Sequence, residues 1–429
     1  MVEHTDPARS RVSTLIAQHI PNLDQYQALY QFLHANPELS LREKDTAEVV
    51  AAHLRQLEGF DVRTGIGGYG VVGVLRNGPG KTVLLRAELD ALPVQERTGL
   101  EFASSRTAVD ENDSVTYVMH ACGHDLHMAS LLAASEFLHR SRQAWSGTVI
   151  ALFQPNEEQG AGAQAMVDDG LFVETGHCIP IPDVALGGHV MPMRTGTIKT
   201  RSGLMGSAAD SFLVTLYGRG GHGSRPHHAV DPVVMASSTV MKLQTIVSRQ
   251  TDPRETVVVT VGSLHAGSAA NVISDEAELQ INIRTFSSET RQKVIEAVKR
   301  IVDAECRAFG SPKPPLIKHI GSFPLLYNDE AATDIVSRAM TDHFGANFGT
   351  DATISTGSED FANLTSPLSI PSVFWNYGGI DARLWDDAVR DGKVEDIPGN
   401  HSAFFAPVIQ PTLSVGIEAY AAAALAFLL

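Results

Sequence analysis

Thr148-Val149-Ile150-Ala151-Leu152-Phe153 runs directly into Gln154-Pro155-Asn156-Glu157-Glu158. A short, continuous apolar run of this kind predicts a buried strand. It delivers two adjacent carboxylates just beyond its end. Upstream, beyond that strand and the helix before it, stands His120-Ala121-Cys122-Gly123-His124-Asp125. This stretch offers a thiolate and an imidazole two residues apart. A soft ligand, a nitrogen ligand and a carboxylate, with a spare carboxylate beside them, are the parts of a site that activates water with a metal.

The same grammar recurs along the chain. Thr82 to Leu85 reads as a buried strand followed by Arg86-Ala87-Glu88-Leu89-Asp90. Val184 to Leu186 reads as another, ending in Gly187-Gly188-His189. Between them, His124 to Arg140 has helical spacing of Leu131, Ala134, Phe137 and Leu138, and Ala161 to Asp169 reads as a helix stopped by Gly170. Nearer the N-terminus, Leu23 to Leu33 marks one helix. Ser40 with Glu43 has the form of a capping box ahead of another, whose apolar face is Ala47, Val50, Leu54 and Leu57. Strand, polar residues, helix, repeated, predicts an α/β sheet with ligands gathered outside the carboxyl ends of its strands.

The middle of the chain changes character. Ser211 to Tyr217 alternates as a strand and leads into the Gly-rich turn Gly218 to Ser224. A helix is expected at Asp231 to Val247, strands at Thr256 to Val261 and Glu278 to Arg284, a long helix at Glu289 to Phe309 and a last strand at Leu316 to Ile320. The order βαββαβ is that of a small ferredoxin-like α+β unit. The expected organisation is therefore a larger α/β domain, 1–209 and 321–429, carrying an inserted smaller domain at 210–320.

Composition sets bounds. The chain has 429 residues, 43% hydrophobic and 19% charged, with a net charge of -16. So acidic a chain is a poor nucleic-acid binder. The three cysteines, Cys122, Cys178 and Cys306, are too few and odd in number for a disulfide framework and suit a reducing compartment. MVEHTDPARSR lacks the apolar core of a signal peptide. The apolar run Ala421 to Leu429 is too short to span a bilayer and reads as part of a core helix. A soluble, cytoplasmic protein with no membrane partner is the expectation.

Each chemical motif has a plainer counterpart. Cys122 and His124 read equally as a small buried thiol and a capping imidazole, or as a Cys–His nucleophile pair. An acidic pair such as Glu157-Glu158 is commonly solvated, but in an extended segment its side chains point apart, so that one could bind metal while the other handles protons. His189, and His401 in Gly399-Asn400-His401-Ser402, read alone as structural. Joined to Cys122, His124 and Glu158, they complete a two-metal set.

Taken in order, His34-Ala35-Asn36-Pro37-Glu38-Leu39-Ser40, Arg86 to Pro93, the Cys122 and Glu157-Glu158 stretches, Gly220-Gly221-His222-Gly223, Asn271-Val272-Ile273, Gly357-Ser358-Glu359-Asp360-Phe361 and the His401 stretch resemble the M20 metallopeptidase family, in its Cys-containing amidohydrolase branch. That branch includes hippurate hydrolases, N-acyl-amino-acid amidohydrolases and auxin-conjugate hydrolases. The resemblance implies hydrolysis of the amide of an N-acyl amino acid or similar small conjugate. It implies two divalent metals (Zn, Mn, Co or Ni) held by Cys122, His124, Glu158, His189 and His401, with Cys122 as the bridge. It makes Glu157 the general base, Asp90 a carboxylate that orients a ligand, and His222, from a lid formed by the smaller domain, the group that stabilises the oxyanion. Asn271 and Arg284 on that lid would grip the substrate; for Arg284 a charge at a strand end is the competing reading. A homodimer through the lid, used by some relatives, is a further expectation.

Departures from the family pattern bear on the substrate. Glu88 stands where a shorter Asp is common and where other branches have a metal-binding His. Asn156, Ser274 and Ala403 stand where Ala, Pro and Pro are common. Rival readings are a metal-free thiol hydrolase using Cys122 and His124, a catalytically silent relative that binds small molecules, and an acyl-transfer enzyme built on the same site.

Overall fold

In the computed structural model, residues 11–109 and 113–429 are described. Most of the stretch MVEHTDPARSR, residues 1–10, therefore lies outside the described residues. The chain divides into two compact units. One comprises Met1–Met205, Tyr327–Thr353 and Asp360–Leu429; the other comprises Gly206–Leu326 and Ile354–Glu359.

The larger unit is built on an eight-stranded sheet. Its order is Phe60–Ile66, Gly70–Asn77, Gly147–Gln154, Thr82–Glu88, Val184–Arg194, Ser372–Ile380, Ile198–Lys199, Phe348–Gly349. Thr82–Glu88 runs parallel to both its neighbours, and Val184–Arg194 runs parallel to Ser372–Ile380. The first two strands form an antiparallel edge. The central strands are buried over most of their length, including Val83, Leu84, Leu85 and all of Val149 to Phe153, and this is why these runs carry no polar alternation. The helix His124–Arg140 starts and stops where its spacing predicts, and it shares a core with the C-terminal helix Ile409–Leu428.

That C-terminal helix is longer than the apolar run suggests. It has 20 residues, long and apolar enough to cross a membrane, yet 72% of its apolar window is buried within the protein. Tyr420 on it donates a hydrogen bond to the carbonyl of Arg86 at 2.7 Å.

Two local expectations are corrected. Ser40 and Glu43 do not form a capping box. Glu43, at the N-cap of the helix Lys44–Gln56, makes no capping bond with its side chain; Glu38 Oε2 accepts the Thr46 N–H at 2.7 Å, and Ser40 Oγ instead donates to Asp90 Oδ2 at 2.7 Å. Glu43 is buried and its Oε1 accepts the N–H groups of Leu41 and Asn156. Nor does His189 close its strand, which continues to Arg194. Gly187 and Gly188 lie inside it because the aromatic rings of Phe374 and Trp375 occupy the space above them; a Cβ on Gly188 would sit 2.3 Å from Trp375 Nε1.

The smaller unit has a four-stranded sheet in the order Val257–Ala266, Glu276–Thr285, Ala208–Tyr217, Leu316–Phe323, each neighbour antiparallel. With the helices Pro232–Thr245 and Ser288–Ala308 it has the ferredoxin-like βαββαβ order. Alternation explains the strands: Phe212, Val214 and Leu216 point into the core with Leu279, Ile281 and Ile283. Asp231 and Ser287 cap the two helices with their side chains.

Candidate metal centre

The turn before the helix His124–Arg140 sets the first two donors. Gly123 between them has φ +85°, and a Cβ there would lie 2.4 Å from Val190 Cγ1, so only glycine lets the turn close this tightly. Cys122 Sγ lies 3.4 Å from Nε2 of His189. His124 Nδ1 is 2.8 Å from the carbonyl of Asp90, and His189 Nδ1 is 2.8 Å from the carbonyl of Val190. Each ring thus spends Nδ1 as a donor to backbone and turns the lone pair of Nε2 into the site. His124 Nε2 is buried and has no hydrogen-bond partner among the described residues.

The Glu157-Glu158 turn, which follows the strand Gly147–Gln154, faces this imidazole. Glu158 Oε1 lies 3.9 Å and Glu157 Oε2 4.0 Å from His124 Nε2. His401, on a loop where it adopts φ +70°, brings Nε2 to 3.3 Å from Glu158 Oε2. Its N–H is held by the carbonyl of Ala121. Three donor groups result, each with its ligand atoms within 4.8 Å of one another: Cys122 with His124 and His189, Cys122 with Glu158 and His401, and His124 with Glu157 and Glu158. The first two groups share Cys122, so these residues would suit two cations.

Electrostatics make the same demand. Burial pushes the Cys122 thiol well above its usual pKa, and Glu158, Glu157 and Glu88 push it further. Burial works against a charged His124, but the hydrogen bond to Asp90 and the charges of Glu88 and Glu158 raise it to about 10. Burial and the neighbouring His127 hold His189 well below its usual range. Asp90 stays below the ordinary carboxylate range despite its burial, because His124, the Glu158 N–H and Ser40 all favour its charge. The carboxylates gathered around this imidazole make the pocket favourable to cations.

A fourth group, Glu88 with His124 and His127, is also close. It is ruled out as a ligand set because His127 is used at both ends: Nδ1 binds Glu88 Oε2 at 2.6 Å, and Nε2 accepts the Val190 N–H at 2.9 Å. Glu88 also pairs with Arg86, so its extra methylene serves this buried network.

The larger unit thus brings together Asp90, Cys122, His124, Glu157, Glu158, His189 and His401. The remaining expected residues lie on the smaller unit. His222 is exposed, with Nδ1 engaged by the N–H and Oγ of Ser224. It pairs in register with Val272, and Asn271 accepts the Gly223 N–H, which makes His222 and Asn271 neighbours. Arg284 Nη1 donates to the carbonyl of Thr356 at 2.7 Å and lies 3.3 Å from Ser358 Oγ. Sequence reasoning misses Asn400, whose Nδ2 donates to the carbonyls of Cys122 and Val190. Its one available signal is its place beside His401.

The sequence profile of peptidase family M20/M25/M40 matches residues 84–391. The thermostable carboxypeptidase 2 of Saccharolobus solfataricus is 33% identical over 401 residues, 92% of this chain and 93% of its own. The hippurate hydrolase of Campylobacter jejuni is 37% identical over 333 residues, 77% of this chain and 82% of its own. Among solved structures, the YxeP protein of Bacillus subtilis, described as a dinuclear metal-binding peptidase of family M20, superposes with a TM-score of 0.71 at 26% identity, covering 94% of this chain and 97% of that one. With this profile match and these relatives, the chain belongs to the M20/M25/M40 peptidase family.

Proposed function

We propose that this protein hydrolyses the amide bond of N-acyl amino acids or similar small conjugates, using two divalent metals held by Cys122, His124, Glu158, His189 and His401. The observation that carries the reading is that Cys122 belongs to two donor groups at once, with the second carboxylate of the pair, Glu157, close to the same imidazole. When bound, the metals supply the charge that polarises the substrate carbonyl and lets water deprotonate near neutral pH.

The residues do the rest. Glu157 takes the proton from the attacking water and returns it to the leaving amine. Asp90 fixes the His124 ring through its carbonyl and the Glu158 backbone through its carboxylate. His222 stabilises the oxyanion, and Asn271 and Arg284 grip the substrate; their common origin on the smaller unit supports reading that unit as the lid. Zn, Mn, Co and Ni all suit this mixed donor set. The buried thiol of Cys122 favours a reducing, cytoplasmic setting. Val258 and Leu264, exposed on the edge strand Val257–Ala266, support a homodimer through the smaller unit.

The test is hydrolysis of an N-acyl-amino-acid panel by metal-stripped protein, repeated after adding each metal. Activity that appears only with metal is expected. Chelator-resistant activity abolished by thiol alkylation would instead establish Cys122 as a nucleophile.

A further inference from the structure

The motif Gly357-Ser358-Glu359-Asp360-Phe361 and the Arg86 of the Arg86 to Pro93 stretch hold no place in the reaction as described. Asp360 and Arg86 meet at the ends of the Glu157-Glu158 turn. Asp360 is fully buried and Arg86 nearly so. Asp360 Oδ1 accepts Nε2 of Gln154 at 2.7 Å and Nη2 of Arg86 at 3.1 Å. Its Oδ2 accepts the N–H of Ala163 at 3.0 Å. Gln154 Oε1 in turn accepts Nε of Arg86 at 2.9 Å. Gln154 is the last residue of the strand leading into the turn, and Ala163 lies in the first turn of the helix Gly162–Asp168 leading out of it. One carboxylate therefore spans the two ends of the loop that carries Glu157 and Glu158. Arg86, itself stacked near Phe361 at 5.8 Å, anchors that carboxylate to the strand Thr82–Glu88.

We infer that Asp360 is a positioning residue for the proposed reaction, acting through the loop it spans to set where Glu157 and Glu158 stand. The inference rests on the proposed function for its kinetic part only. The chemistry requires a carboxylate. Asp360 accepts from Gln154 and Arg86 on one oxygen and from Ala163 on the other, and an amide has one acceptor oxygen. In Asp360→Asn the new NH2 must face either the Ala163 N–H or the Gln154–Arg86 donors, so one leg of the brace is lost.

The experiment compares wild type with Asp360→Asn, both loaded with saturating metal. We expect kcat to fall on the order of tenfold or more, because misplacing a base by a fraction of an ångström is enough. KM should stay within about twofold, because substrate binding is not touched. In metal-free protein, amide exchange across residues 155–163 should accelerate while the helix His124–Arg140 stays protected. Gln154→Met, which removes one leg and leaves the charge, should show the same pattern in weaker form and serves if Asp360→Asn does not fold. A variant that loses thermal stability with unchanged kcat and unchanged loop exchange overturns the inference. If wild type hydrolyses no N-acyl amino acid, the proposed function fails separately, and exchange alone decides: faster exchange in the loop sustains the brace, and unchanged exchange overturns it.

Discussion

Asp90 Oδ2 accepts the backbone N–H of Glu158 at 3.0 Å, while the backbone carbonyl of Asp90 holds Nδ1 of His124 at 2.8 Å. One residue therefore orients a carboxylate donor and an imidazole donor at once. Asp90→Ala is expected to weaken metal binding by about 10–100-fold, the usual cost of removing such support. Ser40→Ala, which removes only the 2.7 Å hydrogen bond to Asp90, should cost about 1 kcal/mol of stability and far less affinity. Metal titration of the stripped proteins checks both; equal affinities for wild type and Asp90→Ala would show that the Asp90 carboxylate, the group this variant removes, does not support the site.

Glu157→Gln keeps the size of the side chain and removes its basicity. If Glu157 moves the proton, turnover should fall by about 10²–10⁴-fold with metal stoichiometry unchanged. An unchanged rate would assign the base elsewhere.

Gly123→Ala places a side chain at φ +85° and drives a Cβ to 2.4 Å from Val190 Cγ1. The strain and overpacking together should cost about 3 kcal/mol. Because the turn must open between Cys122 and His124, metal affinity should fall with stability. A variant equal to wild type in thermal melting and metal uptake would show that the turn has slack.

His34 lies buried between Asp125 Oδ2 at 2.7 Å and Glu96 Oε1 at 3.0 Å. Burial opposes its charge, but the two carboxylates prevail and raise its pKa to about 10. A raised folded-state pKa contributes stability that is complete below the unfolded value near 6.5 and disappears as pH climbs through about 10. His34→Gln should therefore cost about 3 kcal/mol near pH 6. The gap from wild type should shrink once pH exceeds about 10. Urea unfolding at both pH values measures the gap, and a constant gap would mean that His34 is neutral in the folded protein.

Much of the fold is legible because burial leaves a mark on composition. Val149 to Phe153 admits no polar residue since both of its faces are covered, and the helix from His124 to Arg140 shows its period cleanly. The donors at Cys122, His124, Glu157, Glu158, His189 and His401 are legible as chemistry. What escapes is whatever depends on a partner far along the chain. Ser40 looks like a cap until Asp90, 50 residues on, claims its hydroxyl. Gly187 and Gly188 look like a strand end until Phe374 and Trp375 fill the space that side chains would need. Asn400 and Asp360 bind backbone groups, and a backbone carbonyl or N–H leaves no trace in a string of residue names.

The candidate donors come from four separated segments: the turn before one helix, the turn after one strand, the interior of another strand and the loop at His401. No single segment offers more than two of them. Affinity for the ions is then a property of the assembled tertiary structure, and the unfolded chain has no comparable claim on them. Occupancy and folding form one linked equilibrium: free ion at about 1,000 times its dissociation constant adds about 4 kcal/mol to the folded state per site. The melting temperature of this protein therefore doubles as a gauge of the free metal around it.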